Sequence, residues 1–163
     1  MEQYETERRN KNLDYMKLIV WQKAIQLFDL VWKIVFVEAK IDFKLRSQLA
    51  DAAQSVSANI SEEYGRRFVT EYIQFLYYAL GSMGETMTCA IGLKQTKQIS
   101  TERFHDFDSL HYEVENRLLR LIDKLEQKRD DEDWIARIAE DPEEYVTPPS
   151  LQNSTTPILR PHA

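Results

Sequence analysis

Four glycines and five prolines in 163 residues are too few to punctuate a β-rich fold, and four of the prolines, Pro148, Pro149, Pro157 and Pro161, crowd into the C-terminal end. Without turn residues at regular spacing, hairpins and sandwiches are excluded from the body of the chain, which is left to helices. The single cysteine, Cys89, has no intrachain partner, so neither a disulfide framework nor a cysteine metal cluster is available. No uninterrupted apolar run approaches the roughly 20 residues that span a bilayer. The charged start MEQYETERRNKN lacks the apolar stretch of a secretory signal. The expectation is a cytoplasmic protein with no membrane segment. Three histidines, one cysteine and no glycine-rich phosphate loop supply no nucleophile and base pair, so no catalytic residue and no cofactor is assigned.

What is present is an ordinary globular composition, 43% hydrophobic and 11% aromatic, at a length that suits one domain with a substantial core. The formal charge of −6 is unevenly placed. Residues 1–129 hold 19 Lys+Arg and 19 Asp+Glu, while residues 130–163 hold 2 and 8, so the whole excess (2 − 8 = −6) belongs to the C-terminal end. A neutral body weakens the case for a dedicated nucleic-acid binder, whose affinity rests on a basic surface, but leaves room for a local basic patch.

Helical periodicity divides residues 14–128 into four helices. The first is expected from Asp14 to Glu38, with one apolar seam at Leu18, Trp21, Ile25, Phe28, Trp32 and Val35 and a second at Val20, Ala24, Leu27, Val31 and Ile34. The second follows a connector at Ala39 to Phe43, buries Leu45, Leu49, Ala53, Val56 and Ile60, and closes near Gly65. The third starts at a Thr70 cap and runs to about Lys97 through Ile73, Tyr77, Leu80, Met87 and Ile91. The fourth is capped by Ser100 or Thr101 and carries the cleanest heptad: Phe104, Phe107, His111, Val114, Leu118, Leu121 and Leu125. An up-and-down four-helix bundle follows. Residues 129–163 read as an acidic extension, with a short helix at Trp134 and Ile138 and then a disordered Pro/Ser/Thr-rich tail.

Two stretches break the apolar rhythm. Steps of four and three from Gln48 reach Ala52, Ser55, Asn59, Glu62 and Arg66, a polar face beside the apolar one. In the third helix, Gly81, Ser82, Gly84 and Glu85 stand where leucine would serve a simple core. Each helical glycine costs about 1 kcal/mol against alanine, so close approach of a neighbour is expected to offset the loss. Leucine at Gly81 or Gly84 is then expected to overpack. Hydrogen bonds across this seam, to Arg66 or Arg67 or to another chain, are expected for Gln48, Asn59, Glu62 and Glu85.

The combination of VWQKA at Val20 to Ala24, QLADAAQSVSANISEEYGR at Gln48 to Arg66 and FLYYALGSMGE at Phe75 to Glu85 resembles the four-helix-bundle proteins encoded by intervening sequences of bacterial large-subunit ribosomal RNA genes. That family includes the accessory variability proteins of diversity-generating retroelements, which partner a reverse transcriptase and its RNA. The resemblance covers about residues 14–125. It implies a left-handed up-and-down bundle, a ring-shaped homopentamer and no catalytic residues. Where the family tends to carry Asn-Ile-Ala-Glu-Gly, this chain has Asn59, Ile60, Ser61, Glu62 and Glu63, which puts the turn after the second helix in question.

Candidate nucleic-acid contacts are Arg66 and Arg67, with the row Arg117, Arg120, Lys124 and Lys128 on the fourth helix. Glu113, Glu115, Asp123 and Glu126 interleave that row, a pattern that usually marks a solvated face. The pentamer implied by the resemblance would multiply a modest patch around one pore. The other reading is a metal-dependent bundle enzyme, since Glu102 and His105, and Asp108 and His111, have the spacing of di-iron bundles. Both pairs lie on one helix, however, whereas such a site draws ligands from all four, so no metal is assigned.

Overall fold

The computed structural model describes residues 14–38, 41–62, 64 and 69–130. Four α-helices make up the body: α1 (Ile19–Trp32), α2 (Phe43–Ser61), α3 (Val69–Gln95) and α4 (Thr101–Asp130). No strand occurs among the described residues, and no described helix is long and apolar enough to cross a membrane. Each helix packs against its neighbours in the chain, and α4 returns against α1. The result is a four-helix bundle in which the α1–α2 side lies opposite the α3–α4 side.

The core forms where the apolar stripes meet. Val20, Ala24, Leu27 and Val31 of α1 join Leu49, Ala53, Val56 and Ile60 of α2. Leu76, Ala79, Met83 and Ala90 of α3 and Phe107, Val114, Leu118 and Leu125 of α4 complete it. Burying a Leu- or Val-sized side chain contributes about 1.5–3 kcal/mol, so this seam dominates the folding energy. The α4 heptad is buried as its spacing predicts, apart from Phe104 at its start, which is half-buried.

Local chemistry fixes the ends of the helices. Asp42 Oδ1 accepts the Lys44 amide at 2.9 Å at the start of α2. Ser100 Oγ accepts the Arg103 amide at 3.1 Å, which makes Ser100 the cap of α4. After α3 the chain turns through Lys97 at φ 57°, with Gln98 N–H on the Leu93 carbonyl at 2.8 Å and Lys97 N–H on the Lys94 carbonyl at 3.0 Å. This is a Schellman closure with lysine in the position that usually takes glycine.

Several boundaries differ from the sequence expectation. The first helix is not continuous over Asp14 to Glu38. A short 3-10 turn, Asp14–Lys17, gives way to an extended Leu18 (φ −67°, ψ 123°), and α1 continues beyond Trp32 as a π-helical segment, Lys33–Glu38. The break lets the Tyr15 ring fold against Trp21 and Tyr64, with centroids 5.3 and 6.2 Å away. Helix α2 ends at Ser61, before Gly65, because Glu62 is extended (ψ 141°). Its last carbonyls find other donors: the buried Tyr72 hydroxyl donates to the Ile60 carbonyl at 3.1 Å, and the Ser61 hydroxyl to that of Ala58 at 2.8 Å. Thr70 lies inside the first turn of α3 instead of capping it, and α3 stops at Gln95. Leu45, Tyr77 and Ile91, expected on buried faces, are substantially exposed. The expected short helix at Trp134 and Ile138 and the tail lie outside the described residues.

Candidate functional site

The polar seam is a surface feature of the bundle. Gln48, Glu62, Gly81, Gly84 and Glu85 are exposed, while Ser55, Asn59 and Ser82 are half-buried. Of the four side chains expected to bond across the seam, Asn59 turns back along its own helix, as do the neighbouring Ser55 and Ser82. Ser55 Oγ donates to the Asp51 carbonyl at 2.8 Å, Asn59 Nδ2 to the Ser55 carbonyl at 2.8 Å, and Ser82 Oγ to the Tyr78 carbonyl at 3.1 Å. Gln48, Glu62 and Glu85 make no side-chain hydrogen bond within the described residues. A Cβ added at Gly81 or Gly84 would meet nothing within 4 Å. Among the described residues, then, the close neighbour expected over these glycines is absent, and a Cβ at either would not overpack. Small residues do meet the core nearby, at the buried Ala52, Ala53 and Ala79.

Of the basic candidates, Arg66 and Arg67 lie outside the described residues. Arg117 is buried, with Nε and Nη2 on Glu113 Oε1 at 3.1 and 3.0 Å. From α1, Lys23 reaches the other oxygen of Glu113 at 3.0 Å. Glu113 thus ties α1 to α4, and Arg117 belongs to that tie rather than to a solvent-facing row. Arg120, Lys124 and Lys128 remain half-exposed at steps of four along α4, toward the end of the bundle that carries the α2–α3 connection.

The acid and histidine pairs do not converge. Glu102, His105 and Asp108 are exposed, whereas His111 is buried with Nε2 2.8 Å from the Met83 carbonyl. Among the described residues no group of side chains is arranged to hold a metal ion. Cys89 is half-buried, and burial together with the nearby Glu85 carboxylate pushes its thiol above the usual range, which makes it a poor nucleophile.

The sequence reading missed two exposed apolar surfaces on opposite sides of the bundle. On the α3–α4 side, the Tyr77 hydroxyl donates to Glu126 Oε1 at 3.0 Å, which fixes the register of the two antiparallel helices. Heptad steps from that pair lead through Gly84 to Ile91 on α3, and through Leu119 to Tyr112 on α4. Tyr77, Ile91, Leu119 and Tyr112 are 40–55% exposed. Carboxylates edge this strip: Asp123 lies near Glu126, and burial together with that neighbour raises the Asp123 carboxyl above its ordinary value. On the α1–α2 side, Phe28, Trp32 and Phe36 form a run with centroids 6.0 and 4.3 Å apart. The Arg46 guanidinium lies 5.4 Å from the Phe36 ring centroid and 5.2 Å from that of Phe43. Trp32 and Phe43 are 47% and 69% exposed. The sequence signal for the first strip was the Tyr77, Gly84, Ile91 spacing, which also fits a core heptad. For the second, Phe28 and Trp32 already stood in an apolar seam of the first helix, and only the joining of Phe36 through the π-helical segment carried no signal.

With the bundle and its surfaces in place, residues 16–120 match the 23S rRNA-intervening sequence protein family. The chain belongs to that family. As an intervening-sequence protein it also shares its fold with a solved relative, described as a protein with unknown function from the S23 ribosomal protein family of Bacteroides thetaiotaomicron VPI-5482. The two chains are 22% identical with a TM-score of 0.59, and the similarity covers 64% of this chain and 98% of the other. No curated protein matches the chain. The family match ends inside α4 and takes in both exposed surfaces as far as Leu119 and Tyr112.

Proposed function

We propose that this intervening-sequence protein is a non-enzymatic, homo-oligomeric helical scaffold, a pentameric ring in the cytoplasm, that binds a protein or ribonucleoprotein partner. The observation that carries this reading is the amount of aromatic and aliphatic surface left outside a closed core: Trp32, Val37, Phe43, Tyr77, Ile91 and Tyr112 are all more than 40% exposed. Large apolar side chains exposed in clusters mark a protein interface more often than a solvated face.

In the retroelement form of this reading, the partner is a reverse transcriptase with its RNA. The protein's contribution to RNA binding then falls to Arg120, Lys124 and Lys128 with Arg66 and Arg67, since Arg117 is engaged with Glu113. Repeating that patch around a ring would raise avidity for a phosphate backbone without any new contact. The test is binding of a structured RNA to the wild type and to Lys124→Glu/Lys128→Glu, titrated against salt. Loss of affinity with a shallower salt dependence supports the reading, and identical isotherms contradict it.

A further inference from the structure

The aromatic face on the α1–α2 side carries cations that the described residues leave without an anion. Arg46 lies 5.4 Å from the Phe36 ring centroid and 5.2 Å from that of Phe43, and the exposed Lys44 stands two residues before it. None of the ion pairs among the described residues includes either side chain. Asp42, the nearest carboxylate in sequence, caps α2 through the Lys44 amide. Aromatic rings attract a guanidinium but do not satisfy its N–H donors, for which a carboxylate is the best-matched partner. Around these cations Trp32, Val37 and Phe43 are 47%, 72% and 69% exposed. The occupant that fits such a face is acidic and aromatic together.

The chain itself holds a segment of that kind. Residues 130–163 have 8 Asp+Glu against 2 Lys+Arg, and within them Glu143 and Glu144 stand directly before Tyr145 and Val146. Length brings this run to the face. Lys23 on α1 meets Glu113 on the antiparallel α4, so Trp32, nine residues (32 − 23) further along α1, is level with about residue 104 of α4. From there to Asp130, where α4 ends, is 26 residues (130 − 104), or about 39 Å at the helical rise. An extended chain covers about 3.3 Å per residue, so it regains that height about twelve residues past Asp130, at residues 140–146. Trp134 and Ile138 are too near the end of α4 to reach it. Other seats suit an acidic run less well. The α3–α4 strip has Asp123 and Glu126 at its edge, and Arg120, Lys124 and Lys128 are each already engaged.

We infer that residues 140–146 fold back along the bundle onto the aromatic face of their own chain, with Glu143 and Glu144 against Arg46 and Lys44, and Tyr145 on the Trp32 and Phe43 rings. The family match stops at residue 120, so the segment lies beyond the shared bundle. The contact needs one chain only and is separate from the scaffold reading above. A protein partner that uses this face has to displace the segment, which leaves the α3–α4 strip as the open surface.

Hydrogen exchange of the full chain, read by mass spectrometry, tests this. Peptides spanning residues 140–146 are expected to exchange about tenfold more slowly than the same sequence as a free peptide. Arg46→Glu is expected to abolish that protection, as is Tyr145→Ala, with circular dichroism showing the bundle folded; Phe43→Ala serves if Arg46→Glu fails to fold. Combining Arg46→Glu with Glu143→Arg and Glu144→Arg is expected to restore it. Exchange at the free-peptide rate in the wild type overturns the inference. So does protection that survives Arg46→Glu, or that Lys124→Glu removes, which would place the run on the basic row of α4. A cross-link separates the chain's own segment from that of another copy. Val37→Cys with Val146→Cys, in a Cys89→Ser background under mild oxidation, is expected to form a disulfide within one chain of 19.3 kDa on a denaturing gel. A disulfide between two chains would seat the segment on another copy and overturn the inference.

Discussion

His111 on α4 places its Nε2 2.8 Å from the carbonyl oxygen of Met83 on α3, within the buried seam between the two helices. A carbonyl only accepts, so the imidazole presents Nε2–H to it. The contact sets the helix register that also brings Tyr77 to Glu126. His111→Leu, which keeps most of the volume, is expected to cost about 1 kcal/mol, and His111→Ala about 2–4 kcal/mol through the cavity it leaves. Urea unfolding of the two variants checks the order.

Lys97 holds a left-handed backbone at the end of α3. Glycine adopts that conformation without the Cβ penalty, so Lys97→Gly is expected to stabilise the protein by about 0.5–1 kcal/mol, read as a raised melting temperature. No gain would mean that side-chain contacts of Lys97 offset the strain.

Gly81 is exposed and a Cβ there touches nothing. Gly81→Ala is expected to stabilise the bundle by about 1 kcal/mol from helix propensity alone. A destabilised variant would show that another chain approaches Gly81.

Asp123 has its carboxyl raised by burial and then by Glu126. A raised folded value means that the contribution of this group to stability is present below the ordinary carboxylate range and is lost as pH rises through the folded value. Asp123→Asn is therefore expected to melt higher than the wild type near neutral pH, with the difference shrinking at about pH 3, where the aspartate is protonated in both folded and unfolded states. Because the group is largely solvated, the difference is expected to be small. Parallel melting curves at the two pH values check the sign.

Much of the bundle was legible because its determinants are local. The α4 heptad from Phe107 to Leu125 and the Ser100 cap depend on spacing and on one hydroxyl, and both stand where the sequence puts them. The ends of α1 and α2 were not legible, since Leu18 and Glu62 suit a helix by composition and leave it for contacts made across the fold, at Tyr15 with Trp21 and at Tyr72 with Ile60. The exposed apolar surfaces were only half visible. Small residues at Gly81 and Gly84 pointed to the α3 face, but Tyr77 and Ile91 share the spacing of a buried seam, and only the packed helices distinguish the two. Arg117 reads as one more surface cation until Lys23 arrives from α1 to share Glu113.

Whether copies of the chain associate is answered most directly by the mass of the wild-type protein in solution. Light scattering at micromolar concentration is expected to give a whole-number multiple of 19.3 kDa greater than two. A mass of 19.3 kDa, unchanged as the concentration is raised, would contradict it.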